Sequence, residues 1–159
     1  MDGIKSSTKP QVTPGDLAVD GIFIGIEAGI VMAAFLVAVS AQNHISPIEL
    51  LSAFSLNSSP TWISGLLTHL AVSTIYGIFF NLGTYFIFRR SSNLKVSFFV
   101  PFIGLIYGSL LWIAAEFYLF DLTALQLKEM PANILLVAHL IYGVVLGILA
   151  QRRRRSTFA

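Results

Sequence analysis

The chain has 159 residues, 55% hydrophobic and only 11% charged, with a mean hydropathy of +0.78, against about 25% charged residues in an ordinary globular domain. This excludes a water-soluble fold: a core this small cannot hide so much apolar surface, whereas lipid solvates the outward faces and each helix satisfies its own backbone. Cysteine is absent, which removes disulfides, thiol nucleophiles and cysteine metal sites.

Residues 1–16 are polar, contain Pro10, Pro14 and Gly15, lack the layout of a signal peptide, and read as a flexible cytoplasmic tail. The transmembrane domain is expected over residues 17–150, followed by a basic cytoplasmic tail over 151–159. Its four spans lie at 17–41, 62–88, 97–120 and 132–150, each near the ~20 residues needed to cross about 30 Å. The first span lacks a cleavage site and stays as an anchor. It carries Gly21, Gly25, Gly29 and Ala33 on one stripe, with Asp20 and Glu27 on the opposite face.

The loop after it holds His44, read as a solvated residue, and the capping-box pattern Ser46-Pro-Ile-Glu49, with Pro47 suited to a first helical position. The second span carries Gly65, His69, Ser73, Gly77 and Asn81, and the third Gly104, Gly108, Trp112 and Glu116. A second capping-box pattern follows at Thr123-Ala-Leu-Gln126, and the fourth span carries His139, Gly143 and Gly147. Leu50, Leu51 and Phe54 in one loop, and Leu122, Leu125 and Met130 in the other, predict short helices resting on the outer membrane surface.

Four-residue spacing keeps side chains near one helix face, drifting about 40° per step, so the glycine stripes are expected to be helix contacts that let backbones approach closely. A self-association surface at Gly21, Gly25 and Gly29 is the second reading of the same pattern. Ile-Tyr-Gly recurs at 75–77, 106–108 and 141–143, and His69, Ser73 and Gly77 align with His139, Gly143 and Gly147 at a constant offset. The two hairpins are therefore expected to be related by a pseudo-twofold axis along the membrane normal.

Orientation follows from the basic residues. Lys5, Lys9, Arg89, Arg90, Lys95, Arg152, Arg153, Arg154 and Arg155 fall on one side, nine of the ten, leaving Lys128 on the other. Both termini are expected in the cytoplasm, with the arginine run as a topology anchor rather than a nucleic-acid or anionic-lipid patch.

Glu27 sits near mid-span, where a charge costs about 2.5–3.5 kcal/mol even on the lenient insertion scale. It is expected to be a neutral acid hydrogen-bonded to Tyr76, Tyr107 or Tyr142; the competing readings are a proton relay and a cation site. Glu116 lies near the outer surface, where a carboxylate reaches water. His69 and His139 lie at equal depth, about 10 Å below the outer boundary. They read first as paired polar packing and last as axial ligands of a haem b; two histidines fall short of a zinc shell. No cofactor is expected, nor is any enzyme signature present: GxSxG, HExxH, phosphate-binding loops and dinucleotide fingerprints are missing from the sequence.

The four-span layout, the segment Gly25-Ile-Glu-Ala-Gly29 and the histidine-then-Tyr-Gly segments at 69–77 and 139–143 resemble small uncharacterised bacterial inner-membrane proteins of the YagU type. The resemblance implies a bacterial plasma membrane location and carries no catalytic residue across. The sequence thus predicts an all-α, four-span membrane bundle with a polar seam in its outer half. A non-catalytic binding or accessory role leads, with lipid, a membrane protein or a second copy as partner and no nucleic acid. The alternative is a small oligomeric transporter or proton-coupled channel using Glu27 and the histidines.

Overall fold

A computed structural model of the chain describes residues 12–42, 44–57, 59–88, 99–119 and 130–158. It is an all-α four-helix bundle. Helix α1 spans Pro14–Gln42, the short α2 Pro47–Ser52, α3 Trp62–Phe88, α4 Val100–Ala114 continued by a π turn over Ala115–Leu119, and α5 Ala132–Phe158. Apart from α2, each helix is long and apolar enough to cross a bilayer, α4 with its π turn included. The chain is a multi-pass membrane protein whose four spans bring the start of α1 and the end of α5 to one end of the bundle; α2 lies at the other.

The helix starts are set by short polar residues. Thr13 and Asp16 exchange hydrogen bonds, Thr13 N–H to Asp16 Oδ2 at 2.9 Å and Asp16 N–H to Thr13 Oγ1 at 3.2 Å, so α1 begins at Pro14, inside the segment read as a flexible tail. Thr61 and Ser64 do the same for α3. Ser46 caps α2, accepting from Ile48 N–H at 3.3 Å while its own N–H donates to Glu49 Oε2 at 3.2 Å, the expected capping box. The pattern at 123–126, with Leu122 and Leu125, lies outside the described residues, as do Lys5, Lys9, Arg89, Arg90, Lys95 and Lys128.

Two antiparallel pairs, α1 with α3 and α4 with α5, make up the bundle, and α1 packs on α5 to join them. Both pairs are held by backbone against backbone. A methyl placed on Gly25 would lie 2.5 Å from the Ser73 carbonyl oxygen, one on Gly21 2.6 Å from Ile78 Cα, and one on Gly147 2.6 Å from Pro101 Cα. Gly77 faces the carbonyl of Gly21, Gly104 and Gly143 face each other's carbonyls, and Gly108 faces that of His139. Gly21, Gly25 and Gly29 are thus covered by α3 and offer no surface for self-association.

These contacts match residue for residue across the two pairs. Gly25 and Gly29 occupy the places of Gly104 and Gly108, Ser73 that of Gly143, and Gly77 that of Gly147. The Ile-Tyr-Gly tripeptide is not the repeat unit, since Gly77 corresponds to Gly147 rather than to Gly143.

Leu50 and Phe54 are buried against the bundle, where the Leu51 carbonyl rests on Gly65. The expected interfacial face of α2 is therefore turned inward, and Ile45, Ile48 and Leu56 are the exposed apolar residues of this loop. His44 is exposed and takes a positive φ of 61° in the turn leaving α1, a conformation in which histidine is several-fold enriched over most side chains.

A Gly143→Leu substitution drives a side chain into the Gly104 carbonyl, and should cost about 1–3 kcal/mol or more, read as a lower thermal midpoint in detergent. Gly83, where a methyl would meet nothing within 4 Å, is the control: Gly83→Ala should leave the midpoint unchanged or raise it, because alanine is the better helix former.

Candidate functional site

The polar side chains at span depth fall into two groups. The first is an internal seam. His69 Nε2–H donates to the Gly29 carbonyl of α1 at 2.9 Å, where the absent Cβ leaves the oxygen open to a neighbouring helix. Tyr142 Oη–H donates to Ser73 O at 2.7 Å and Tyr107 Oη–H to Tyr76 O at 3.0 Å, while Asn81 Nδ2–H donates to Leu17 O at 2.8 Å. Each uses a spare lone pair on a helical carbonyl to tie one helix to another. His139 instead turns Nδ1–H back to Leu135 O of its own helix at 2.8 Å.

The seam bears on two of the sequence readings, the haem placed last for the histidines and the tyrosine partner expected for Glu27. The space beside the glycines near the histidines is taken by the opposing helices, by backbone at Gly108 and Gly143 and by the Ser73 side chain at Gly29, and His69 is further covered by the Phe54 ring at 4.7 Å between centroids. A haem between these helices does not fit. Tyr107 and Tyr142 donate their hydroxyls to backbone carbonyls, so neither serves Glu27, and Tyr76 contributes its carbonyl to the seam. Glu116 lies half-buried in the π turn. Trp112, on the same stripe of α4, keeps a buried Nε1–H with no hydrogen-bond partner among the described residues.

The second group lies on the outside of the bundle, on the flank between α1 and α5. Arg153 Nη1 is 2.9 Å from Asp20 Oδ1 and Nη2 is 3.3 Å from Glu27 Oε1. The guanidinium also sits over the Phe23 ring, 5.4 Å from its centroid. Geometry brings them together. Asp20 and Glu27 are seven residues apart and so share a face. In any helix the Cα–Cβ bond leans toward the N-terminus; in an antiparallel pair Glu27 and Arg153 therefore lean toward one another. The side chains remain partly exposed, Asp20 and Arg153 at 36% and Glu27 at 49%, which places the acids on the bundle's surface and not along an internal path.

Arg153 is the residue that sequence reading missed. Read as part of a basic tail beyond the last span, it instead belongs to α5, which continues past Ala150 to Phe158. Two acids one heptad apart on a single span were the available signal that a cation must reach them. Arg154 points the other way, donating to Thr84 Oγ1 at 2.7 Å and lying 5.7 Å from the Phe88 ring centroid on α3.

Among the described residues no three His, Asp or Glu side chains gather as a metal shell would require. Comparison with protein-family models, curated proteins and solved structures finds no match to this chain.

Replacing Arg153 by leucine should destabilise the bundle, because it strands two carboxylates at span depth. Replacing Asp20, Glu27 and Arg153 together by leucine should recover most of the loss, as removal of a whole ionic cluster commonly does. Tyr142→Phe should cost about 0.6–1.7 kcal/mol, the range of an interhelical hydrogen bond in a membrane. Thermal or detergent-induced unfolding of the purified variants checks all three.

Proposed function

We propose that this chain is a non-catalytic accessory bundle of a bacterial inner membrane, with both termini in the cytoplasm, that works by lateral contact with another membrane component. One observation carries this reading: Asp20, Glu27 and Arg153 form a cluster on the outer flank of α1 and α5, whereas His69, His139 and the Tyr107 and Tyr142 hydroxyls are engaged with backbone carbonyls. A half-exposed carboxylate facing hydrocarbon is costly. A neighbour of complementary polarity relieves that cost. Both histidines pair with carbonyls rather than with a hydroxyl, which favours binding over nucleophilic chemistry.

Orientation rests on the distribution of basic residues, nine of ten on the terminal side of the four spans. The resemblance to proteins of the YagU type supports the bacterial location.

A second reading, a small oligomeric transporter, is favoured by the lateral exposure of Glu27, which would line a path between protomers rather than through one. A proton or cation flux in liposomes that Glu27→Gln abolishes would decide for it and against the accessory role.

For the accessory reading, gentle extraction followed by mass spectrometry should recover a membrane component at a fixed ratio to the chain, and that component should be lost on Glu27→Leu. Recovery of the chain with nothing but bulk lipid would overturn it. A reporter fused after Ala159 should be active only on the cytoplasmic side.

A further inference from the structure

The flank of α1 and α5 is one positive charge short. Asp20 and Glu27 share the single guanidinium of Arg153, and Arg154, the next cation along α5, is engaged with Thr84 and Phe88 on the far side of the helix. With all three groups ionised the cluster carries one excess negative charge. Arg152 is exposed and makes no hydrogen bond or ion pair among the described residues. It lies about 100° round the helix from Arg153 and about 1.5 Å nearer the α2 end. An arginine there reaches at least as deep into the span as Arg153, which already touches Glu27.

The outward stripe of α1 changes character along its length. It runs Asp20, Phe23, Glu27, Val31, Ala34 and Ala38, and from Phe23 onward each of these is exposed. Beyond Glu27 it narrows to alanines at four-residue spacing, which permit close approach of a second helix. Acid without its counter-charge and small residues without a neighbour thus occur on one face.

We propose that two copies of this chain pair through the α1/α5 flank about a twofold axis along the membrane normal, the Arg152 of each copy completing the Asp20–Arg153–Glu27 cluster of the other. Such an axis leaves equivalent residues at equal depth, so the incoming Arg152 arrives at the level of the acids it meets. Each cluster then holds two carboxylates and two guanidiniums and is neutral. The α1 helices meet along Ala34 and Ala38, whose small side chains let the backbones come close. This pairing deepens the accessory reading and rests on it: the second copy is the neighbour of complementary polarity which that reading places on this flank.

The absence of cysteine makes the test direct. A single Ala38→Cys variant, oxidised in native membranes, should give a species of twice the chain mass, because a disulfide needs Cα atoms within about 7 Å. Phe102→Cys, on an exposed position of α4, should not. In the Ala38→Cys background Glu27→Gln should reduce cross-linking several-fold, and so should Arg152→Gln, an exposed position whose change leaves the bundle core untouched. The charge exchange Glu27→Arg with Arg152→Glu should restore it. Equal cross-linking at Ala38 and Phe102, a cross-link to a different protein, or a dimer indifferent to these charges would each overturn the proposal, while leaving the co-purification test of the accessory reading unaffected.

Discussion

Between two helices in lipid there is no hydrophobic force to bring them together, since lipid tails are as apolar as leucine, and association depends on how closely the backbones can approach. This bundle meets that condition with glycine. At the two crossings, of α1 with α3 and of α4 with α5, the space a Cβ would need is taken by a carbonyl or Cα of the opposite helix, or at Gly29 by the Ser73 side chain. The other polar contacts follow from those crossings. Bringing backbones together exposes carbonyl oxygens to side chains that would otherwise never reach them, which is how His69 comes to bond Gly29 O and Tyr142 to bond Ser73 O. The same oxygens, already engaged along their own helices, supply second lone pairs at no cost in helical hydrogen bonding.

Equal backbones receive unequal side chains. Ala33 on α1 corresponds to Trp112 on α4, and the end of the first hairpin near α2 is filled from outside by Phe54 lying on His69, while the second hairpin carries its own bulk in Trp112. His69 accordingly crosses to α1, whereas His139 bonds back within α5. A twofold repeat in the backbone thus carries no twofold chemistry. That is why equal depth of two imidazoles, a sound inference from spacing, did not imply a shared ligand.

Fold class and the glycine faces were legible because they depend on local periodicity: small residues every fourth position and spans of bilayer length state which faces must meet. The Ser46–Glu49 cap was legible for the same reason. Less local features were not. The partner of Glu27 lies 126 residues away, and no spacing rule links them. Tyrosines at the right depth offer an inexpensive partner on paper, yet depth fixes only one coordinate, and Tyr142 faces α3 while Glu27 faces outward. The inward turn of α2 was hidden because Leu50 and Phe54 suit a membrane surface and a bundle end equally well by composition.

The arginine run joins topology to structure. Four basic residues after an apolar span would hold one helix end out of the hydrocarbon whether they were coiled or helical, so charge counting alone assigns them no geometry. Helical continuation changes that. Once α5 extends through the run, consecutive arginines point about 100° apart, and each of the first three is committed to a different surface: Arg153 to the acids of α1, Arg154 to Thr84 and Phe88 of α3, and Arg152 outward. The anchor is thereby divided among separate contacts, two of which bind α5 to the first hairpin. Acids on α1 that would be a liability in an isolated span become the reason the fourth span is held at a fixed depth and rotation against the first.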